Sequence, residues 1–267
     1  MFLEKEREKM NGRTRHMGML PVLLAAVIAL IMGITASESW AINFGFIENE
    51  FSETAIFFEE NATDGDLGIQ IFFDGEPWMM VRVFSPEDST VFNVMNGGSL
   101  MQIGSTEVFT ESAEPSFDEL PREELLALFT EGEYTFLGTI VGGGLMVGTA
   151  MLTHDLPVPV DVALVVNGDS AIIEWVDKSE DGDPEIVGFE VVIEMVVEDD
   201  SGEERVFVNT ATFPASVTSF TISQEFISAA FDFFAEGELL EVKFEVIAIE
   251  ESGNKTITEQ IVFEAEE

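Results

Sequence analysis

Phe189-Glu-Val-Val-Ile-Glu-Met-Val-Val197 and Leu240-Glu-Val-Lys-Phe-Glu-Val-Ile-Ala248 decide the fold. In the first stretch, Phe189, Val191, Ile193, Met195 and Val197 fall on every second position. In the second, Leu240, Val242, Phe244, Val246 and Ala248 do the same, opposite Glu241, Lys243 and Glu245. Successive side chains of a strand point to opposite faces, so this period marks half-buried antiparallel strands.

Working outward, the run from Val160 to Phe263 reads as seven strands in succession. Trp175 lies in the second strand, Ala171-Ile-Ile-Glu-Trp-Val176, on the buried phase of the alternation. Glu198-Asp-Asp-Ser-Gly202 reads as a tight hairpin between Val197 and Arg205. Ser223 is placed to cap a short helix running to Phe234 and closed by Gly237. Seven strands at this spacing predict an immunoglobulin-like sandwich.

Residues 44–152 show short apolar runs between turn signals. Ile69, Ile71 and Phe73 share one phase, and Met79, Val81 and Val83 another. Tyr134–Val141 and Leu145–Leu152 flank Gly142-Gly-Gly144, a hairpin turn. Further turns are expected at Asp64-Gly-Asp66, Asp74-Gly-Glu-Pro77, Ser85-Pro86 and Asn96-Gly-Gly98. One helix is predicted over Arg122–Phe129, with Asp118 as its N-cap, Leu125, Leu128 and Phe129 on a common face, and Gly132 as its stop. His154-Asp-Leu-Pro-Val-Pro159 reads as an extended connection stiffened by its two prolines. The expected organisation is all-β: two β-sandwich domains in tandem, 42–153 and 160–267, joined by the linker 154–159, with short accessory helices and an N-terminal signal segment over 1–41.

The signal reading rests on a basic start (Lys5, Arg7, Lys9, Arg13, Arg15), the apolar run Met17–Ile34, and small residues at Ser39 and Ala41 that place cleavage after Ala41. The alternative is an uncleaved N-terminal membrane anchor, since the run approaches spanning length. Beyond it, no apolar run is long enough to cross a bilayer. The expected location is therefore the periplasm or the medium, with no membrane insertion after cleavage.

The chain carries 52 acidic and 11 basic residues. Residues 1–41 hold 4 and 5 of these, which leaves 48 and 6. Such a surface repels nucleic acid and anionic lipid. It suits salty surroundings, where a Debye length of about 3 Å at 1 M removes self-repulsion. With no cysteine, thiol nucleophiles, cysteine metal sites and lipid attachment through cysteine are excluded.

Trp175, the lead-in Pro184-Glu-Ile-Val-Gly-Phe189, and Val246-Ile-Ala248 followed by Gly253 together resemble a fibronectin type III domain across about 110 residues. The chain departs from that pattern at Phe189, where a tyrosine is usual, and at Val242, where the tyrosine corner would sit. No Arg-Gly-Asp tripeptide is present, so integrin-type recognition is not implied. Asn61–Phe72 and Glu114–Pro121 are similar to the N-terminal part of exported bacterial proteins that carry one such domain. That likeness implies architecture and export only.

Two stretches hold the spacing of a cation site. Asp177, Ser179, Asp181 and Gly182 match positions 1, 3, 5 and 6 of a calcium loop, with Asp183 beside them, but Gly188 stands where a bidentate glutamate belongs. Asn61, Asp64 and Asp66 are the weaker set, and a plain Asp-Gly turn explains them equally well. Trp78 could stack on a sugar ring if exposed, or anchor a core. His154 is the only histidine past the signal; its neighbour Asp155 points the other way on an extended chain, and no G-x-S-x-G is present. Asn61-Ala-Thr63 and Asn254-Lys-Thr256 match the glycosylation sequon, which in a bacterial setting is chance.

The sequence points to a non-enzymatic exported protein that binds through loops or sheet edges, with no cofactor except possible calcium. Its expected partner is a protein, a polysaccharide or another copy of the chain. Two alternatives stand beside this. One is an accessory or carboxylate-based catalytic part in polysaccharide breakdown. The other is a calcium-dependent structural surface protein.

Overall fold

The computed structural model describes residues 48–167, 170–199, 204–226 and 237–264. The signal segment and the hairpin tip at 200–203 lie outside them. The fold is all-β. The strands are β1 (Glu48–Glu50), β2 (Glu53–Asn61), β3 (Asp66–Phe84), β4 (Thr90–Met95), β5 (Ser105–Glu111), β6 (Gly132–Ile140), β7 (Leu145–Leu152), β8 (Asp161–Asn167), β9 (Ser170–Val176), β10 (Ile186–Asp199), β11 (Glu204–Pro214), β12 (Ser219–Thr221), β13 (Gly237–Glu250) and β14 (Lys255–Glu264). Two short helices are α1 (Leu100–Ile103) and α2 (Arg122–Leu126).

The C-terminal seven strands form two layers. One is the three-stranded sheet β12-β9-β8; the other is the run β14-β13-β10-β11. They meet through Ile173 and Trp175 on one side and Phe189, Val191, Ile193, Phe244, Val246 and Ala248 on the other. These are the residues that the alternation assigns to one face. Trp175 packs edge-on to Phe189, with ring centroids 5.5 Å apart. That geometry suits the ring quadrupoles and adds about 0.5–1.5 kcal/mol to the burial.

The N-terminal strands enclose a second core around Phe58, Phe73, Trp78, Tyr134, Phe136 and Met146. The feature that builds it is the 19-residue β3. Its first half pairs with β2 and β5, and its second half with β6 and β4. The expected turn at Asp74–Pro77 is instead an irregular continuation of this strand. The register with β5 jumps from Asp74 to Trp78. Pro77 has no N–H for a ladder, and Gly75 admits a side chain close above it, so the chain bulges where turn chemistry was read. A second shift between Trp78 and Met80 turns Trp78 inward, while Met79 is only half-buried.

The Gly142-Gly-Gly144 turn between β6 and β7 is as expected, with φ of +88°, +108° and +118°. The helix is shorter than predicted. Pro121, not Asp118, is the N-cap of α2, which ends after Leu126. Leu125 and Leu126 are buried, whereas Leu128 points to solvent. The chain then tightens into i→i+3 bonds, Leu128 N–H to the Leu125 carbonyl and Phe129 N–H to the Leu126 carbonyl, which bring Phe129 onto the core beside Phe58. Near Ser223 the cap bond is present, Phe226 N–H donating to Ser223 Oγ at 3.1 Å. The helix expected to run on to Phe234 lies outside the described residues beyond Phe226, and Gly237 opens β13.

The two cores share one backbone sheet. β14 pairs in parallel with β2, Lys255 opposite Glu59 through Ile257 opposite Asn61. The eleven-stranded sheet therefore passes without interruption from β11 to β1. The proline-bearing connection is packed, with Leu156 and Val160 buried in the first and second cores respectively.

Candidate functional site

The sequence-derived site residues sit mostly in turns closed by their own side chains, while the Ser179 hydroxyl is buried without a partner. Asp177 Oδ1 accepts the Ser179 N–H at 2.8 Å, and Asp183 Oδ2 accepts the Glu180 N–H at 2.8 Å. Gly182 takes φ +108° at the loop apex. Asn61 Oδ1 accepts from the Thr63 and Asp64 N–H groups, while its amide nitrogen donates to Asp64 Oδ2. These are side-chain-closed turns of the kind that Asp and Asn favour. Neither set brings three carboxylates to one point among the described residues.

Three other carboxylates do converge. Glu59 on β2, Glu111 at the end of β5 and Glu114 just beyond it place oxygens within 4.8 Å of one another. The register explains the first two. Gln70 on β3 lies opposite both Phe57 on β2 and Glu111 on β5, so one buried amide sits between the flanking strands. Gln70 Nε2 donates to Glu59 Oε1 at 2.6 Å and to Glu111 Oε1 at 3.3 Å. Glu114 lies over Gly68, where a Cβ would come within 2.7 Å of its Cγ. Lys255 reaches the cluster from β14, 3.5 Å from Glu59, and also stands 3.7 Å from Glu190 and 5.0 Å from the centre of the Phe57 ring.

Proton affinity is raised at Glu59 and Glu114. Burial pushes the Glu59 carboxyl above its ordinary value, against the pull of Lys255 and Gln70. Glu114 is pushed up to about 7, by desolvation first and then by the charges of Glu111, Asp66 and Glu59. Three carboxylate oxygens fall short of the six to eight that calcium takes, and one lysine already neutralises part of the charge. What the arrangement does chemically is hold a proton near neutral pH.

The sign of the stability effect follows directly. A carboxyl whose folded pKa exceeds its unfolded value binds more protons when folded, so stability falls as pH rises from about 4.5 to about 7 and is level above. Glu114 is solvent-exposed, and screening leaves about 1 kcal/mol of the full shift. Melting curves should therefore rise by roughly 2–4 °C between pH 8 and pH 5. Glu114→Gln should raise the pH 8 value by a similar amount and flatten the slope. Parallel slopes for the two proteins would contradict this.

Trp78 is a core residue, 1% exposed, with Phe73 edge-on at 5.7 Å. It has no face to offer a sugar. His154 is held at the junction: its Nε2 lies 2.7 Å from the Phe129 carbonyl, its N–H donates to Glu131, and its ring meets Phe58 edge-on.

The residue that sequence reasoning missed is Asn254. It is fully buried. Its Oδ1 accepts the Phe58 N–H of β2 at 2.8 Å. Its amide nitrogen donates to the Thr153 carbonyl, Thr153 Oγ1 and the Asp155 carbonyl at 2.9–3.1 Å. Its own N–H donates to buried Glu250, which also accepts from the Ser252 N–H and hydroxyl. Thr256 donates to the Pro157 carbonyl at 2.8 Å. One turn of the second unit thus ties the linker, β2 and β13 together. With its amide fully committed, Asn254 is closed to glycosylation.

No protein-family model and no curated protein matches the chain. Among solved structures, it is similar to a tetra-tandem repeat in the extending region of a large adhesion protein, at 13% identity and a TM-score of 0.23, covering 80% of this chain and 50% of that one. It is likewise similar to the BSP domain of a biofilm-associated protein, at 13% identity and a TM-score of 0.24, covering 80% of this chain and 30% of that one. The chain thus spans half or less of the length of either.

Proposed function

We propose that the chain is an exported, non-enzymatic binding protein, of the adhesion or interaction type, whose C-terminal half is a fibronectin type III-like domain. The observation that carries this reading is the sheet arrangement. Two layers, β12-β9-β8 and β14-β13-β10-β11, facing one another over one core support it. The same sheet then continues into the N-terminal strands through the β14–β2 pair. Buried bonds of Asn254 and Thr256 close the junction. Sandwich folds of this kind present loops and sheet edges from a fixed frame, and recognition concentrates there.

The histidine, the buried tryptophans and the best-placed acids are spent on holding this frame. The acidic surface favours solubility and turns away polyanions.

The test is recovery of partners by the exported protein from its own cell envelope and medium, beside a panel of glycans. The expected result is a saturable partner and no glycan cleavage, with an N-terminus at Ile42. Hydrolysis of any glycan that is lost on changing one carboxylate to its amide would overturn the reading in favour of polysaccharide breakdown.

A further inference from the structure

Residues 89–106 carry no charged side chain, in a chain of net charge −41. This stretch forms β4, α1 and the first residues of β5. Besides Val91, it exposes four large apolar side chains close together in sequence: Met95 (67%), Leu100, Met101 and Ile103 (68%). Three of the four lie on α1, whose residues bury nothing.

The excursion is anchored, so this exposure is built in. Asn96, which is buried, donates its amide to the Trp78 carbonyl at 2.7 Å and accepts from the Ser105 hydroxyl at 2.9 Å. Its own N–H donates to the Met79 carbonyl at 2.8 Å. At the far end Gly104 takes φ +79° against Pro77 and Val141, where a Cβ would fall 2.8–2.9 Å from both. Both ends of the loop are therefore pinned to β3 and to the β6–β7 hairpin, itself uncharged from Tyr134 to Thr153. An apolar patch held outward by buried polar bonds marks an interaction surface.

We infer that this patch is where a second copy of the chain docks, in a twofold arrangement that sets Met95, Leu100, Met101 and Ile103 against their counterparts. Charge decides the occupant. Two copies of this protein repel wherever their carboxylates face one another, and residues 89–106 contribute none. A twofold contact is self-complementary, so one uncharged apolar patch meets another. A bilayer fits worse, because interfacial segments use Lys, Arg or Trp, and the stretch has none of these. A glycan would want a stacking tryptophan or tyrosine, which it also lacks. The inference rests on the reading that the chain works by binding, and names one partner for it.

Four side chains make a small interface, so the dimer is weak and reversible. Sedimentation of the purified exported protein at 0.1 M and 1 M NaCl tests this. Salt should tighten the dimer, by about fivefold or more in Kd, because screening removes repulsion and the contact itself has no ion pairs to lose. Ile103→Glu places carboxylates against each other across the axis and should weaken association by about tenfold or more at either salt. Met95→Glu should do the same. Leu128→Glu, an exposed site away from the loop, should leave Kd within about twofold and serves as the equal-charge control. Unchanged melting curves for all three variants show that the fold is intact.

A monomer under all conditions up to about 1 mM, or a dimer indifferent to Ile103→Glu, overturns the proposal. So does binding to phosphatidylglycerol vesicles that Ile103→Glu abolishes, since the bilayer would then be the occupant. A monomer that still captures a partner from the envelope overturns self-association and leaves the binding function standing. A dimer sensitive to Ile103→Glu with no captured partner does the reverse.

Discussion

Replacing Asn254 by alanine should lower the stability of the protein by about 3–4 kcal/mol. That corresponds to roughly 6–16 °C in melting temperature for a chain of this size. The side chain is fully buried and engages the Phe58 N–H, the Thr153 carbonyl and hydroxyl, and the Asp155 carbonyl. Alanine leaves the buried Phe58 N–H without its partner and removes the bonds to the Thr153 and Asp155 carbonyls, although the Thr153 hydroxyl keeps Ser252; the cost of an orphaned group exceeds the net worth of a bond. Asn254→Asp should be at least as damaging. It keeps an acceptor for Phe58, but turns a second oxygen toward two carbonyls and places a charge beside buried Glu250. Thermal unfolding followed by circular dichroism measures both. A loss below about 1 kcal/mol in the alanine variant would mean that the junction is held by the β14–β2 backbone pairing alone.

Trp78→Ala should cost about 3–5 kcal/mol, the usual price of emptying a large aromatic site in a core. The ring is 1% exposed and packs against Phe73, which in turn meets Phe51 and Phe136 edge-on. Trp78→Phe should be much milder, because the indole N–H has no hydrogen-bond partner to lose. The same geometry predicts that glycans leave tryptophan fluorescence unchanged at this position. Equal stability of the alanine variant and the parent, or a glycan-dependent shift removed by Trp78→Phe, would return Trp78 to the surface and to sugar recognition.

The strands were legible because alternation is a local property. Phe189, Val191 and Ile193 repeat every two residues whatever they pack on, and all three are buried as that period requires. The bulge at Asp74–Pro77 was not legible. Asp, Gly and Pro break a ladder in the same way whether the chain turns back or continues bent, and the choice was made by β5 and β6 pairing on either side. The helix start was displaced for a related reason: Asp118 has cap chemistry, but Pro121 occupies the place where the backbone enters the helix.

The site residues divide along the same line. Asp177, Asp181 and Asp183 attracted attention because they are close in sequence, yet their carboxylates serve their own loop or face solvent. Glu59, Glu111 and Glu114 come from two distant segments and meet only because β3 lies between β2 and β5. Asn254 and Phe58 are 196 residues apart, and nothing in either neighbourhood announces the other.

By itself the sequence determined the all-β character, the phase of β10 and β13 and the burial of Trp175, because these depend on a two-residue period and on side-chain polarity. Its charge determined that most of the surface would repel another copy of itself. The tertiary structure decided where the chain bends, which carboxylates converge, which asparagine closes the junction, and that the uncharged stretch 89–106 stands outward on pinned ends. Those outcomes rest on contacts between segments far apart in the chain, whose partners are fixed only once the strands have chosen their neighbours.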